Sequence, residues 1–150
     1  MQEAAALGDF FRAVGVRHIL ASPLERTWRT ALIAGEAACA PVQLDLDIAE
    51  WRVDESENSV QERVLCALQL ACQLSAQHGP VALVSHGAPI LAMIKHLGLG
   101  AAEVERHRIY DSRNLLPAAG AWEARSALLR LAFVPDGVRW PADVPASIWL

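Results

Sequence analysis

No apolar run in this 150-residue chain approaches the roughly 18 to 20 residues that a helix needs to cross a bilayer, so no membrane span is expected. Nor is there any five-residue block of like charge. With 13 Lys and Arg against 17 Asp and Glu the formal charge is −4, which gives nucleic acid or an acidic membrane no long-range attraction. A small anion would have to be held by local geometry. Cysteine is scarce: Cys39, Cys66 and Cys72 are odd in number and lack the C-x-x-C spacing of zinc or redox sites, so they read as reduced packing residues. Met1 is followed by Gln-Glu-Ala-Ala-Ala-Leu, without the basic start and continuous apolar core of a secretory signal, and the expected location is cytoplasmic. A nucleotide-binding glycine loop, a serine elbow and a metal-ligand cluster are also missing, so the expectation is no cofactor and no metal. His86-Gly87 has no second His, Cys or Asp at ligand spacing. Without repeats or a low-complexity linker, residues 1–150 are expected to form a single domain.

What is present alternates between helical and extended patterns. Gln2 to Val14 has apolar positions at Ala5, Leu7, Phe10, Phe11 and Val14, which predicts a helix already under way at the start and capped by Gly15. Val16 to Ala21 reads as a short strand, and Ser22-Pro23 marks the switch to a helix from about Leu24 to Cys39. Pro41 to Leu44 is extended and the acidic run Asp45 to Asn58 is turn-rich. Ser59 and Glu62 have capping-box spacing, and Val60, Val64, Leu65, Leu68, Ala71, Cys72 and Leu74 form an apolar stripe up to Gly79. Val81 to Val84 is a buried-strand pattern that stops on Ser85-His86-Gly87 and passes into a helix reaching Leu97. Beyond it, a short helix at Ala101 to His107, strands at Leu115 to Trp122 and Leu128 to Val134, a turn at Pro135-Asp-Gly137 and an irregular tail are expected. The order predicts an α/β fold of three layers, a mainly parallel sheet flanked by helices.

In such sheets ligands gather outside the carboxyl ends of the strands, where loops run into helices. Two loops carry suggestive residues. Ala21-Ser-Pro-Leu-Glu-Arg26-Thr-Trp-Arg-Thr-Ala31 places Arg26 in the first turn of a helix, where its planar guanidinium can grip a phosphate through paired hydrogen bonds. His86 ends the other strand, and Gly87 lets the backbone turn and approach a ligand at the positive end of the next helix. Each also has a structural reading. Arg26 alone is a solvated helix-start charge, His86 a hydrogen-bonded structural histidine, and Glu50 a solvated carboxylate in an acidic loop.

Taken in order, Ala-Ser-Pro-Leu-x-Arg-Thr-x-x-Thr-Ala at 21 to 31, Pro-Val-x-Leu-Asp at 41 to 45, Glu50, and Val-Ser-His-Gly at 84 to 87 resemble the histidine phosphatase superfamily, which includes cofactor-dependent phosphoglycerate mutases and many phosphomonoesterases. The resemblance runs from about Leu7 to Leu97. It implies a phosphoglycerate mutase-like fold, with Arg26 and Gly87 binding the transferred phosphate, Glu50 as the proton donor and His86 as the second pocket histidine. The implied partner is a small phosphorylated molecule, with nucleic acid and membrane excluded by composition.

One departure matters. The family nucleophile is a histidine in an Arg-His-Gly motif ending the first strand, before the helix with which this sequence opens, and that motif is absent. Arg17-His18 is followed by Ile19 and Arg106-His107 by Arg108, and neither has the glycine turn; His78 and His96 read as helix-surface residues. By the family route no phosphohistidine forms without that nucleophile. The expectation is an N-terminally incomplete fold with its first strand missing, inactive as it stands, in which a second copy of the chain is a candidate partner through dimerisation or strand exchange. Three readings remain: a phosphomonoester phosphatase in complete form, a non-catalytic phospho-ligand-binding module, and a phosphoglycerate mutase-like fragment. Glu55 and Glu57 compete with Glu50 for the acidic role, since Trp51-Arg52-Val53-Asp54 departs from the family's usual course there.

Overall fold

The computed structural model describes residues 2–97, 120–125, 128–133 and 147–149. Its centre is β1 (His18–Ala21), a strand whose Ile19, Leu20 and Ala21 are fully buried. β1 pairs in parallel with β2 (Val42–Leu44) on one side and β3 (Val81–Val84) on the other, giving the order β2-β1-β3. Because strand side chains alternate, Ile19 and Ala21 face one way and Leu20 the other. Ile19 and Ala21 join a core with Leu7 and Phe11 of α1 (Gln2–Ala13) and Ala31, Ala34 and Ala38 of α2 (Glu25–Ala38). Leu20 joins Val60, Val64, Ala67 and Ala71 of α3 (Glu57–His78) and Met93 of α4 (Gly87–His96). The predicted α/β architecture is therefore present, a parallel sheet with helices on both faces, and burial on both sides explains why β1 and β3 read as continuous apolar runs.

Small residues set the closeness of the first layer. A Cβ on Gly8 of α1 would lie 2.6 Å from the Ala37 Cβ and 2.7 Å from the Ala34 carbonyl oxygen of α2. Glycines with positive φ punctuate the chain where expected: Gly15 (78°) follows α1, and Gly79 (102°) ends α3 and turns it toward β3.

The start of α3 differs from the capping box read at Ser59. The N-cap is Ser56, extended at φ −78° and ψ 158°, whose hydroxyl accepts the Ser59 N–H at 3.2 Å. Ser59 already lies inside the helix, and its hydroxyl donates to Glu55 instead. The acidic run also contains a 3₁₀ turn at Leu46–Ile48, capped by the Asp45 carboxylate accepting the Asp47 N–H at 2.9 Å.

A second sheet holds β4 (Ala121–Arg125), β5 (Leu128–Phe133) and β6 (Ser147–Trp149), antiparallel in the order β4-β5-β6. The strand expected over 115–122 thus runs from Ala121, and the tail expected to be irregular contributes a strand. Phe133 stacks on Phe10 of α1 with ring centroids 5.2 Å apart, which joins this sheet to the first core. The helix expected at 101–107 with His107, residues 115–119 and the turn at 135–137 lie outside the described residues. Among the described residues no helix is long and apolar enough to cross a membrane.

Candidate functional site

The carboxyl ends of β1 and β3 are tied together by the Ser22 N–H donating to the Val84 carbonyl at 3.0 Å, and that of β2 joins them through the Asp45 N–H on the Ala21 carbonyl at 2.9 Å. Three loops therefore leave the sheet at one rim, as parallel pairing requires. Pro23 and Leu24 cross to α2, whose first turn presents Arg26. His86 caps α4 with extended backbone, φ −123° and ψ 167°, and its side chain turns inward rather than capping the helix. Gly87 is already the first helical residue of α4, so it serves as an uncluttered helix start rather than a left-handed turn.

His86 is held at both ring nitrogens. Nε2 lies 2.7 Å from the Ser22 hydroxyl and 3.4 Å from that of Thr27, while the Arg26 Nη2 approaches Nδ1 at 3.1 Å. A guanidinium only donates, so Nδ1 is the acceptor and the ring proton on Nε2 is donated to Ser22. The Thr27 hydroxyl in turn donates to the Leu24 carbonyl at 2.8 Å. Ser22 is completely buried.

Glu50 completes the group. Its Oε2 accepts from Arg26 Nη2 at 2.8 Å and lies 3.4 Å from His86 Nδ1, while Oε1 accepts the Trp51 N–H at 3.1 Å. The two competing carboxylates are elsewhere: Glu55 is bound by Arg63 and Glu57 faces Lys95 at 3.7 Å. The structure thus brings Arg26, Glu50 and His86 to a single cluster, graded in exposure: the side chains are 66% exposed at Arg26, 35% at Glu50 and 2% at His86. His18 lies at the amino end of β1, with its Nε2 3.2 Å from the Gln43 amide oxygen, the whole strand away from Ser22. His78 and His96 fall in the last turns of α3 and α4.

Burial pushes the His86 imidazole below its ordinary value; the Glu50 carboxylate pulls it back up, and Arg26 and then Arg63 push it down again. At neutral pH the unliganded ring is neutral, with Nδ1 facing the cluster. Protonation makes Nδ1 a second donor beside the Arg26 fork, and a tetrahedral oxyanion offers the acceptors both need. Among the described residues, no group of three or more His, Cys, Asp and Glu side chains is placed to hold a metal ion.

Sequence reasoning passed over Ser22, Thr27 and Arg63. Ser22 read as the marker of a strand-to-helix switch and, with Thr27, as part of the 21–31 motif without a role of its own, and its partner is distant in the chain. Arg63 stands between Glu62 and Val64 on α3, and a cation beside a buried stripe was its one local signal.

A parallel α/β sheet with an Arg, a Glu and a His converging at its carboxyl rim defines a candidate oxyanion-binding protein. The family model of the histidine phosphatase superfamily (branch 1) matches residues 1–59, somewhat over a third of the chain. Solved structures with a similar fold include mycobacterial hydrolase 1 (TM-score 0.56, 21% identity, covering 64% of this chain and 63% of that one). Bacillus stearothermophilus YhfR is similar at TM-score 0.55 and 21% identity, with 64% of this chain and 63% of that one covered. A mycobacterial glucosyl-3-phosphoglycerate phosphatase in complex with VO3 matches at TM-score 0.53 and 23% identity, with 64% and 65% covered. These neighbours share the phosphoglycerate mutase-like fold, and the chain spans about 63% of the length of the first of them. No curated protein matches the sequence.

Proposed function

We propose that this chain recognises the phosphoryl group of a small phosphomonoester at the Arg26, Glu50 and His86 cluster, a site of the histidine phosphatase type that hydrolyses its ligand only where the family's nucleophilic histidine is supplied. The observation that carries the reading is one guanidinium nitrogen, Arg26 Nη2, reaching Glu50 at 2.8 Å and His86 Nδ1 at 3.1 Å. A carboxylate already stands where an oxyanion is wanted. A phosphate taking its place meets the Arg26 fork, His86 Nδ1 once protonated, and the free N–H groups at the Gly87 end of α4. During transfer the phosphoryl group spreads charge over its equatorial oxygens, and fixed donors stabilise that arrangement.

Glu50, displaced from Arg26 by the phosphate, then stands beside a second negative charge. The role the family resemblance gives Glu50 is that of proton donor: where the family's nucleophilic histidine takes the phosphoryl group, Glu50 gives the leaving oxygen its proton as the P–O bond breaks. The vanadate complex of a phosphatase with this fold supports the choice of ligand class. The family's nucleophilic step needs a histidine that residues 1–150 do not carry as Arg-His-Gly, and His18 faces Gln43 at the wrong end of β1. That observation favours a second reading for these residues by themselves, phospho-ligand binding without turnover.

Calorimetry with inorganic phosphate or vanadate tests the reading. Residues 1–150 are expected to bind, and Arg26→Ala to weaken binding about 10- to 100-fold, since charge-assisted hydrogen bonds contribute about 1.5–3 kcal/mol. No binding by the parent chain, together with no effect of Arg26→Ala, overturns the proposal. Release of phosphate from an aryl phosphate is expected to be absent. Robust turnover lost in His86→Ala but kept in His18→Ala overturns the account of the missing nucleophile.

A further inference from the structure

We propose that Arg63, from the first turns of α3, is the positioning residue that holds Glu50 against Arg26 and His86. Its side chain is 15% exposed and every guanidinium nitrogen is used. Nε and Nη2 form a fork on the Glu55 carboxylate at 2.7 and 2.9 Å. Nη1 donates to the carbonyls of Asp47 and Ala49 at 2.7 and 2.8 Å, and Nη2 also reaches the carbonyl of Glu50 itself at 3.3 Å. One side chain therefore fixes both the residues leading into Glu50 and a carboxylate five positions beyond it.

The need for such a clamp follows from the loop. Between β2 and α3 the chain has a single 3₁₀ turn and no strand partner, so its backbone carbonyls have no ladder to satisfy them. Arg63 supplies the donors from a helix whose neighbouring Val60 and Val64 are anchored in the core. The loop is thereby referenced to the sheet that also carries His86, and a second tie, the Ser85 hydroxyl donating to the Ile48 carbonyl at 2.7 Å, comes from the residue before His86. Trp51 Nε1 donating to the Glu55 carbonyl at 2.8 Å closes the far side. A lysine at 63 keeps the charge but has three donors on one nitrogen, and it cannot serve a carboxylate fork and three carbonyls at once.

The role in turnover rests on the phosphatase reading, but the placement of Glu50 is measured without ligand, through the NMR titration of His86. The charged groups facing that ring are Glu50, Arg26 and, farther off, Arg63; the hydroxyls of Ser22 and Thr27 contact Nε2. Glu50 supports the imidazolium, so releasing it lowers the pH at which His86 titrates. Arg63→Lys is expected to shift that titration downward, in the same direction as Glu50→Gln, and to add nothing in the Glu50→Gln background. An unmoved titration in Arg63→Lys where Glu50→Gln shifts it, or an equal shift with Glu50 already neutralised, overturns the proposal. Should Arg63→Lys fail to fold, Glu55→Gln loosens the same fork and is read identically. Because no phosphate is present, a chain that binds none leaves this test intact.

Discussion

His86 sits where opposing influences act on one proton: burial favours the neutral ring, Glu50 draws it toward the cation, and Arg26 and Arg63 oppose that. The net effect is a folded-state value below the unfolded one of about 6.5. The unfolded chain therefore takes up this proton first as pH falls, and stability is lost from about pH 6.5 downward until the folded ring is protonated too. Urea midpoints measured between neutral pH and pH 5 are expected to decline in the parent and to decline less in His86→Gln; parallel curves would refute the assignment. Arg26, Glu50 and His86 were legible in the sequence because their motifs are local and ordered. Ser22 and Thr27 stand in the same 21–31 motif as Arg26, but their roles, like that of Arg63, were not legible, because they are set by partners that the fold brings from other loops.

At the scale of elements, the boundary between α1 and α2 depends on the absence of a side chain at Gly8. Gly8→Val places new carbons against Ala34 backbone that has no room to yield, and is expected to cost about 1–3 kcal/mol, as overpacking does. Denaturant unfolding of this variant beside Gly15→Ala, where no neighbour lies within 4 Å, separates crowding from backbone strain. A Gly8→Val variant as stable as the parent would show that the helices part freely. Element identity was readable from periodicity, while an edge such as the start of α3 was not. Ser56 and Ser59 both satisfy the local rule, and the choice fell to Ser56 because Glu55 and Arg63 engage what lies around it.

For the molecule as a whole, the alternation of strands with helices along the chain made the layered parallel core predictable, since a parallel strand buried on both faces needs helices to cover it. The antiparallel sheet was harder to foresee: β4 and β5 are neighbours in sequence, but β6 is three residues long and lies in a tail without strand periodicity. Its link to the first core runs through Phe133 and Phe10. A double-mutant cycle of Phe10→Ala and Phe133→Ala is expected to give a coupling of about 0.5–1.5 kcal/mol, the usual worth of an aromatic pair. A coupling near zero would mean that the two sheets are joined by something else.

The graded accessibility across the three polar side chains sets an order of encounter. On the proposed phosphate-binding reading, an anion diffusing in meets the arginine while still mostly hydrated, passes the glutamate as it sheds water, and reaches the histidine last. Capture speed and its salt sensitivity thus belong to the outermost residue, and dwell time to the innermost.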